Sequence, residues 1–170
     1  EKIKAMNLHP SEDIGSLLDE NKAISDSDKG IIARALNIEL SDLMIPLYNP
    51  EEEVVIRHKN KSGEYFYPNN KEPIYRINTL ARTSKMPLMK GFDIEVLKRN
   101  IDAKDKFESS LHYYVYNYGE TNVEFNWELN NKKYKEMINT GDSIYIQPFV
   151  KHYFSNSGNE NAKVLAVGVS

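Results

Sequence analysis

The chain of 170 residues has no cysteine. That excludes a disulfide framework and any thiolate metal site. Cationic excess is also missing: 22 Lys and Arg face 25 Asp and Glu, for a net charge of −3. Such a balance leaves no basic footprint for nucleic acid. No apolar run approaches the length of a membrane span, and no signal-peptide pattern occurs. The expectation is a soluble, cytoplasmic protein with no membrane partner. The first residue is Glu1 rather than Met, which fits a portion of something longer. The length accommodates one ordinary domain, or a small module joined to a larger one.

What is present divides in two. Residues 1–47 read as helical. Ser11 can cap a helix carrying Ile14, Leu17 and Leu18 on one face, although Gly15 weakens it. Ser25-Asp26-Ser27-Asp28 is a solvated turn before a second helix with Ile31, Ile32, Ala35 and Leu36 inward. Ser41-Asp42 starts a short third helix, closed by Pro46 and Pro50. From residue 51 onward the periodicity is two. Val54-Val55-Ile56 and Tyr65-Phe66-Tyr67 are expected to pair as a hairpin across Asn60-Lys61-Ser62-Gly63. His58, among Arg57, Lys59 and Lys61, reads as a solvated loop residue. Ile74–Arg82 and Phe92–Leu97 alternate as strands, the second with Asp93 and Glu95 turned away from Phe92, Ile94 and Val96.

The densest strand signal runs over 111–156. Tyr113 and Val115, then Val123, Phe125 and Trp127, then Ile144 and Ile146 alternate with polar residues. Tyr118-Gly119-Glu120, Asn130-Asn131 and Thr140-Gly141-Asp142 supply turns. His112 opens the stretch and His152 lies near its end. Two imidazoles on strands able to fold side by side are the kernel of a metal site. On β alternation Tyr114 and Tyr116 share a face with His112 and are expected to line its pocket, while Lys151 points away from His152 into solvent.

Gly141-Asp142-Ser143-Ile144-Tyr145-Ile146-Gln147-Pro148-Phe149-Val150-Lys151-His152 resembles the second motif of the cupin double-stranded β-helix: glycine, short strand, proline, metal-binding histidine. Ala35-Leu36-Asn37-Ile38-Glu39-Leu40-Ser41-Asp42-Leu43-Met44 resembles the last helices of a phage-repressor-type helix-turn-helix module. Lys29 and Arg34 are the only cations between Ala23 and Pro50, which argues against DNA as its partner. The fold class is therefore mainly β with a small α module: helix-turn-helix-like helices over 1–47, then a cupin barrel over 51–170.

A narrower resemblance rests on Tyr75-Arg76, Leu80-Ala81-Arg82-Thr83, Pro87 and Phe92-Asp93-Ile94-Glu95-Val96-Leu97, with Ala162–Val167 as a closing strand. These phrases, in this order, resemble the phosphonate-processing cupin oxygenases, a family that includes hydroxypropylphosphonate epoxidase, hydroxyethylphosphonate dioxygenase and methylphosphonate synthase. The resemblance implies a mononuclear Fe(II) held by two histidines and one carboxylate or carboxamide, with O2 and a small hydroxyalkylphosphonate as reactants and C–C or C–H cleavage as the outcome. It maps two ligands to His112 and His152. The third is open. One register gives Glu108, four residues before His112. The other places Tyr116 where an acid belongs and leaves Gln147 or Asn117 to supply the oxygen. Arg76 and Ser109 are the candidates for holding the phosphonate, beside Tyr114 and Tyr116. Arg82 is an alternative anion contact or an outward strand residue.

Two other readings compete. One is a metal-free, degenerate cupin repeat with a structural role, accompanied by a further cupin domain in a longer chain. The other is a transcription regulator that joins a helix-turn-helix to a ligand-sensing cupin. A homo-oligomer is compatible with each, because a small barrel with open strand edges invites association.

Overall fold

The computed structural model describes residues 48–61, 63–68, 71–99, 101 and 106–170. They fall in the compact unit Tyr48–Ser170. The expected helices over 1–47, and the helix-turn-helix among them, lie outside the described residues.

Nine strands follow in chain order: β1 (Glu64–Tyr67), β2 (Tyr75–Thr79), β3 (Lys90–Val96), β4 (His112–Asn117), β5 (Val123–Leu129), β6 (Lys132–Ile138), β7 (Ser143–Ile146), β8 (Lys151–Asn156) and β9 (Ala162–Val169). They form a six-stranded sheet in the order β1-β2-β3-β9-β4-β7 and a three-stranded sheet in the order β6-β5-β8. Every strand pair is antiparallel. The only helical element among the described residues is a short 3-10 turn, Lys59–Lys61. The architecture is mainly β and consistent with a cupin-like fold.

Alternation decides which residues enter the core. Tyr75, Ile77, Ile94, Val96, Val115, Val164 and Ala166 come from the larger sheet, and Val123, Phe125 and Phe154 from the smaller; all are buried in one cluster. Two apolar faces meeting this way bury a single slab of side chains between them. The sheets are also latched by a hydrogen bond. Tyr75 Oη on β2 donates to the Phe154 carbonyl at 2.7 Å and accepts from the Phe154 amide at 3.1 Å. Because β8 is an edge strand, these backbone groups need a partner from outside the ladder. The same edge is closed further along, where the His152 amide donates to the Phe107 carbonyl and the Phe107 amide to the His152 carbonyl.

The turns follow their residues. Asn130 and Asn131 both have positive φ, 51° and 60°, and join β5 to β6 with two residues. That is the signature of the turn whose twist matches a hairpin, and asparagine tolerates it well. Gly141, at φ 90°, makes the turn into β7. One expectation fails: Val54-Val55-Ile56 form no strand. Tyr65-Phe66-Tyr67 pair instead with Tyr75-Arg76-Ile77. The β2 edge, backed by a continuous sheet, is a better partner than an isolated hairpin arm.

Candidate functional site

The two histidines occupy opposite sides of the larger sheet. His152 is on β8 with 6% of its surface exposed, turned into the space between the sheets. Its ring centroid lies 5.8 Å from those of Phe107 and Phe125 and 5.7 Å from that of Phe154. Nδ1 stands 2.9 Å from the Val150 carbonyl. A carbonyl only accepts, so Nδ1 carries the proton and Nε2 keeps its lone pair. Burial pushes the imidazole pKa below its ordinary value, against the opposing pull of the Val150 carbonyl, and the ring is neutral.

His112 opens β4, where Val115 and Asn117 are buried and the intervening Tyr114 and Tyr116 are 58% and 46% exposed. Period-two alternation places His112 on their outward face. There its Nδ1 is 2.6 Å from the Tyr145 hydroxyl, and the two rings stack at 5.9 Å between centroids. Tyr145 pairs with Tyr114 across β4 and β7, with ring centroids 5.2 Å apart. His112 thus heads an aromatic face on the outside of the sheet, while His152 sits among phenyl rings on the inside.

Glu108 and Gln147 are exposed. Asn117 is fully buried, but its carboxamide is committed: Nδ2 donates to the Thr121 and Ile138 carbonyls, and Oδ1 accepts from the Gly119 amide. Ser109 Oγ accepts from the Leu111 amide. Arg76 points outward from β2 and pairs with Glu95 on β3. Arg82 donates to the Pro87 carbonyl at 2.9 Å. Lys151 is exposed, as alternation requires. Among the described residues no group of three or more His, Asp or Glu side chains stands close enough to hold a metal ion.

A divalent iron needs several donor atoms converging on one point. His152 meets the requirement for one of them, since a neutral imidazole with Nδ1 anchored on a carbonyl is what a ligand nitrogen demands. Its ring neighbours are Phe107, Phe125 and Phe154, and among the described residues it belongs to no group of three or more His, Asp or Glu side chains. The described donor set does not fit an iron.

Two structural residues were not singled out from the sequence as such. Tyr75 latches the sheets, and Asn117 ties the turn after β4 to the end of β6. Neither role has a local signature, because both depend on partners distant in the chain.

No family model matches the chain. Against curated proteins it is 33% identical to methylphosphonate synthase of Nitrosopumilus maritimus over 171 aligned positions, covering 99% of this chain and 35% of that protein. Among solved structures, Streptomyces albus HEPD with 2-hydroxyethylphosphonate and Fe(II) bound superposes with a TM-score of 0.67 at 24% identity, covering 84% of this chain and 32% of that one. Hydroxypropylphosphonic acid epoxidase from S. wedmorenis superposes with a TM-score of 0.60 at 22% identity, covering 84% of this chain and 73% of that one. The chain spans about a third of the length of its curated relative. The resemblance carried by 75–97 and 141–152 therefore extends along nearly all of the chain: it is similar in sequence to a methylphosphonate synthase and shares its fold with phosphonate-processing non-heme iron oxygenases.

Proposed function

We propose that the protein works in a phosphonate-processing, Fe(II)- and O2-dependent oxygenase acting on a small hydroxyalkylphosphonate. Within it, the unit Tyr48–Ser170 is a cupin repeat that supports the active centre and does not itself hold the iron. The similarity to methylphosphonate synthase over 99% of the chain supports the first part. The observation that carries the second is the placement of the two histidines, His152 inside among phenyl rings and His112 outside against Tyr145. Iron with open coordination positions would supply O2 activation next to a chelated substrate. Its ligands would then come from a part of the enzyme other than this unit.

A second reading keeps iron in this unit, with His152 as one ligand, and Glu108 or Gln147, with His112, completing the set. What favours it is the His152 ring itself, neutral, with Nδ1 fixed by Val150. It requires β4 to present its other face.

The test is oxygen uptake by the whole enzyme that contains this unit together with the part that would hold the iron, reconstituted anaerobically with Fe(II) and then given O2 and 2-hydroxyethylphosphonate. Phosphonate-dependent uptake that His112→Ala leaves within about twofold fits the proposal, since an outward side chain away from the chemistry costs little. Loss of uptake in both His112→Ala and His152→Ala, with loss of bound iron, establishes the second reading. Absence of phosphonate-dependent uptake overturns the oxygenase assignment.

A further inference from the structure

The outward face of the three-stranded sheet holds a feature unrelated to iron. Its register brings Lys133, Glu128 and Lys151 into one cross-strand row, and Lys135, Asn126 and Tyr153 into the next. Residues directly opposite on an antiparallel pair have neighbouring side chains. Lys106, arriving from the segment before β4, pairs with Glu128 at 2.6 Å. These residues, with Trp127 and Tyr134, line a groove of about 320 Å³.

The charges do not balance. Four lysines and one glutamate line the groove, so its lining carries 4 − 1 = +3. Counting Glu124, which pairs with Lys135 at 3.2 Å, still leaves 4 − 2 = +2. Yet the whole chain is at −3. Glu128 is already engaged, by a hydrogen bond from Lys106 that holds its carboxyl below the usual range. Lys133 and Lys151 flank it and add to that pull, and neither forms an ion pair among the described residues. Lys133 and Lys151 each stand directly opposite Glu128, so that carboxylate is shared among three ammonium groups. One carboxylate among Lys106, Lys133 and Lys151 is too little.

We propose that this groove binds a small tetrahedral oxyanion of the phosphate class, either free phosphate or the phosphonate or phosphate group of a small molecule, held between Lys133 and Lys151. Lysine ammonium groups are point-charge donors suited to such oxygens, and charge-assisted bonds of this kind are the strong ones. The volume is that of a small-molecule site. A short cationic groove on a chain of net negative charge is a poor surface for a polyanion such as nucleic acid.

The experiment is calorimetric titration of the full chain with inorganic phosphate at low ionic strength, and separately with 2-hydroxyethylphosphonate. Saturable binding of phosphate is expected. Lys133→Gln and Lys151→Gln should each weaken it about fivefold, as the loss of one charge-assisted bond implies. The double variant should abolish it, and Lys133→Arg should retain it. Glu128→Gln should tighten it a few-fold, because it removes the competing carboxylate. Binding of the phosphonate but not of phosphate would identify an organic ligand as the source. No binding of either anion, or weak binding reduced as much by Lys85→Gln, in the turn between β2 and β3, as by Lys151→Gln, would overturn the site. The iron measurements are independent of these outcomes, so the two proposals fail separately.

Discussion

The two faces of β4 and β8 give the same side chain two different chemistries. On the inner side, His152 is neutral, nearly sealed and surrounded by Phe107, Phe125 and Phe154. On the outer side, His112 leans on a phenol and shares a half-open surface with Tyr114 and Tyr116. Strand periodicity alone separates them, because each successive residue faces the opposite way. A histidine's value as a ligand depends less on its motif position than on which face its strand turns to the core.

The contrast can be broken most sharply by removing inner packing. Phe154→Ala should lower unfolding free energy by about 3–5 kcal/mol in denaturant titrations, whereas Tyr114→Ala on the outer face should change it by no more than about 0.5 kcal/mol. Similar losses for the two would mean that the outer face is packed as well. Tyr75→Phe should cost about 2 kcal/mol by the same measurement, since the Phe154 amide and carbonyl lose their one partner at the edge of β8. An unchanged midpoint would mean that the latch contributes nothing to holding the sheets together.

Acid sharpens the comparison further. The folded pKa of His152 lies below its ordinary value of 6.5, so the unfolded chain takes up the proton first. His152 therefore leaves stability intact above that value and lowers it as the pH falls through 6.5 toward the depressed folded pKa. Melting curves at successive pH values should show this loss in the wild type, and less of it in His152→Gln. The smallest expected effect lies at the turn before β8. Phe149 holds φ at 63° although it is neither Gly nor Asn. Phe149→Gly should stabilise by up to about 1 kcal/mol, the conformational relief exceeding the added freedom of the unfolded chain.

Much of the fold was legible in the sequence. Val123, Phe125 and Trp127 announced β5, Ile144 and Ile146 announced β7, and the clean alternation of 92–96 announced β3, down to the outward turn of Asp93. Gly141 and Asn130-Asn131 marked their turns because only a few residue types accept positive φ. β6 gave no signal: Lys132–Ile138 is an edge strand with both faces exposed or nearly so, and its register comes from the turn before it. The apolar run Val54-Val55-Ile56 misled for the opposite reason, being β-prone without a sheet to join. The site was harder to read. His112 and His152 stood at motif positions, but the face each presents depends on a sheet register that spacing alone does not reveal. The lysine row of β5, β6 and β8 was hidden likewise, because Lys133, Glu128 and Lys151 become neighbours only through two ladders.

The central claim is that His112 and His152 never meet around one cation. Iron content after anaerobic Fe(II) loading and desalting tests it directly, on the full 170-residue chain beside His112→Ala and His152→Ala. The expected result is the same low, substoichiometric iron in all three proteins. One tightly held iron per wild-type chain, lost in both variants, would contradict the account.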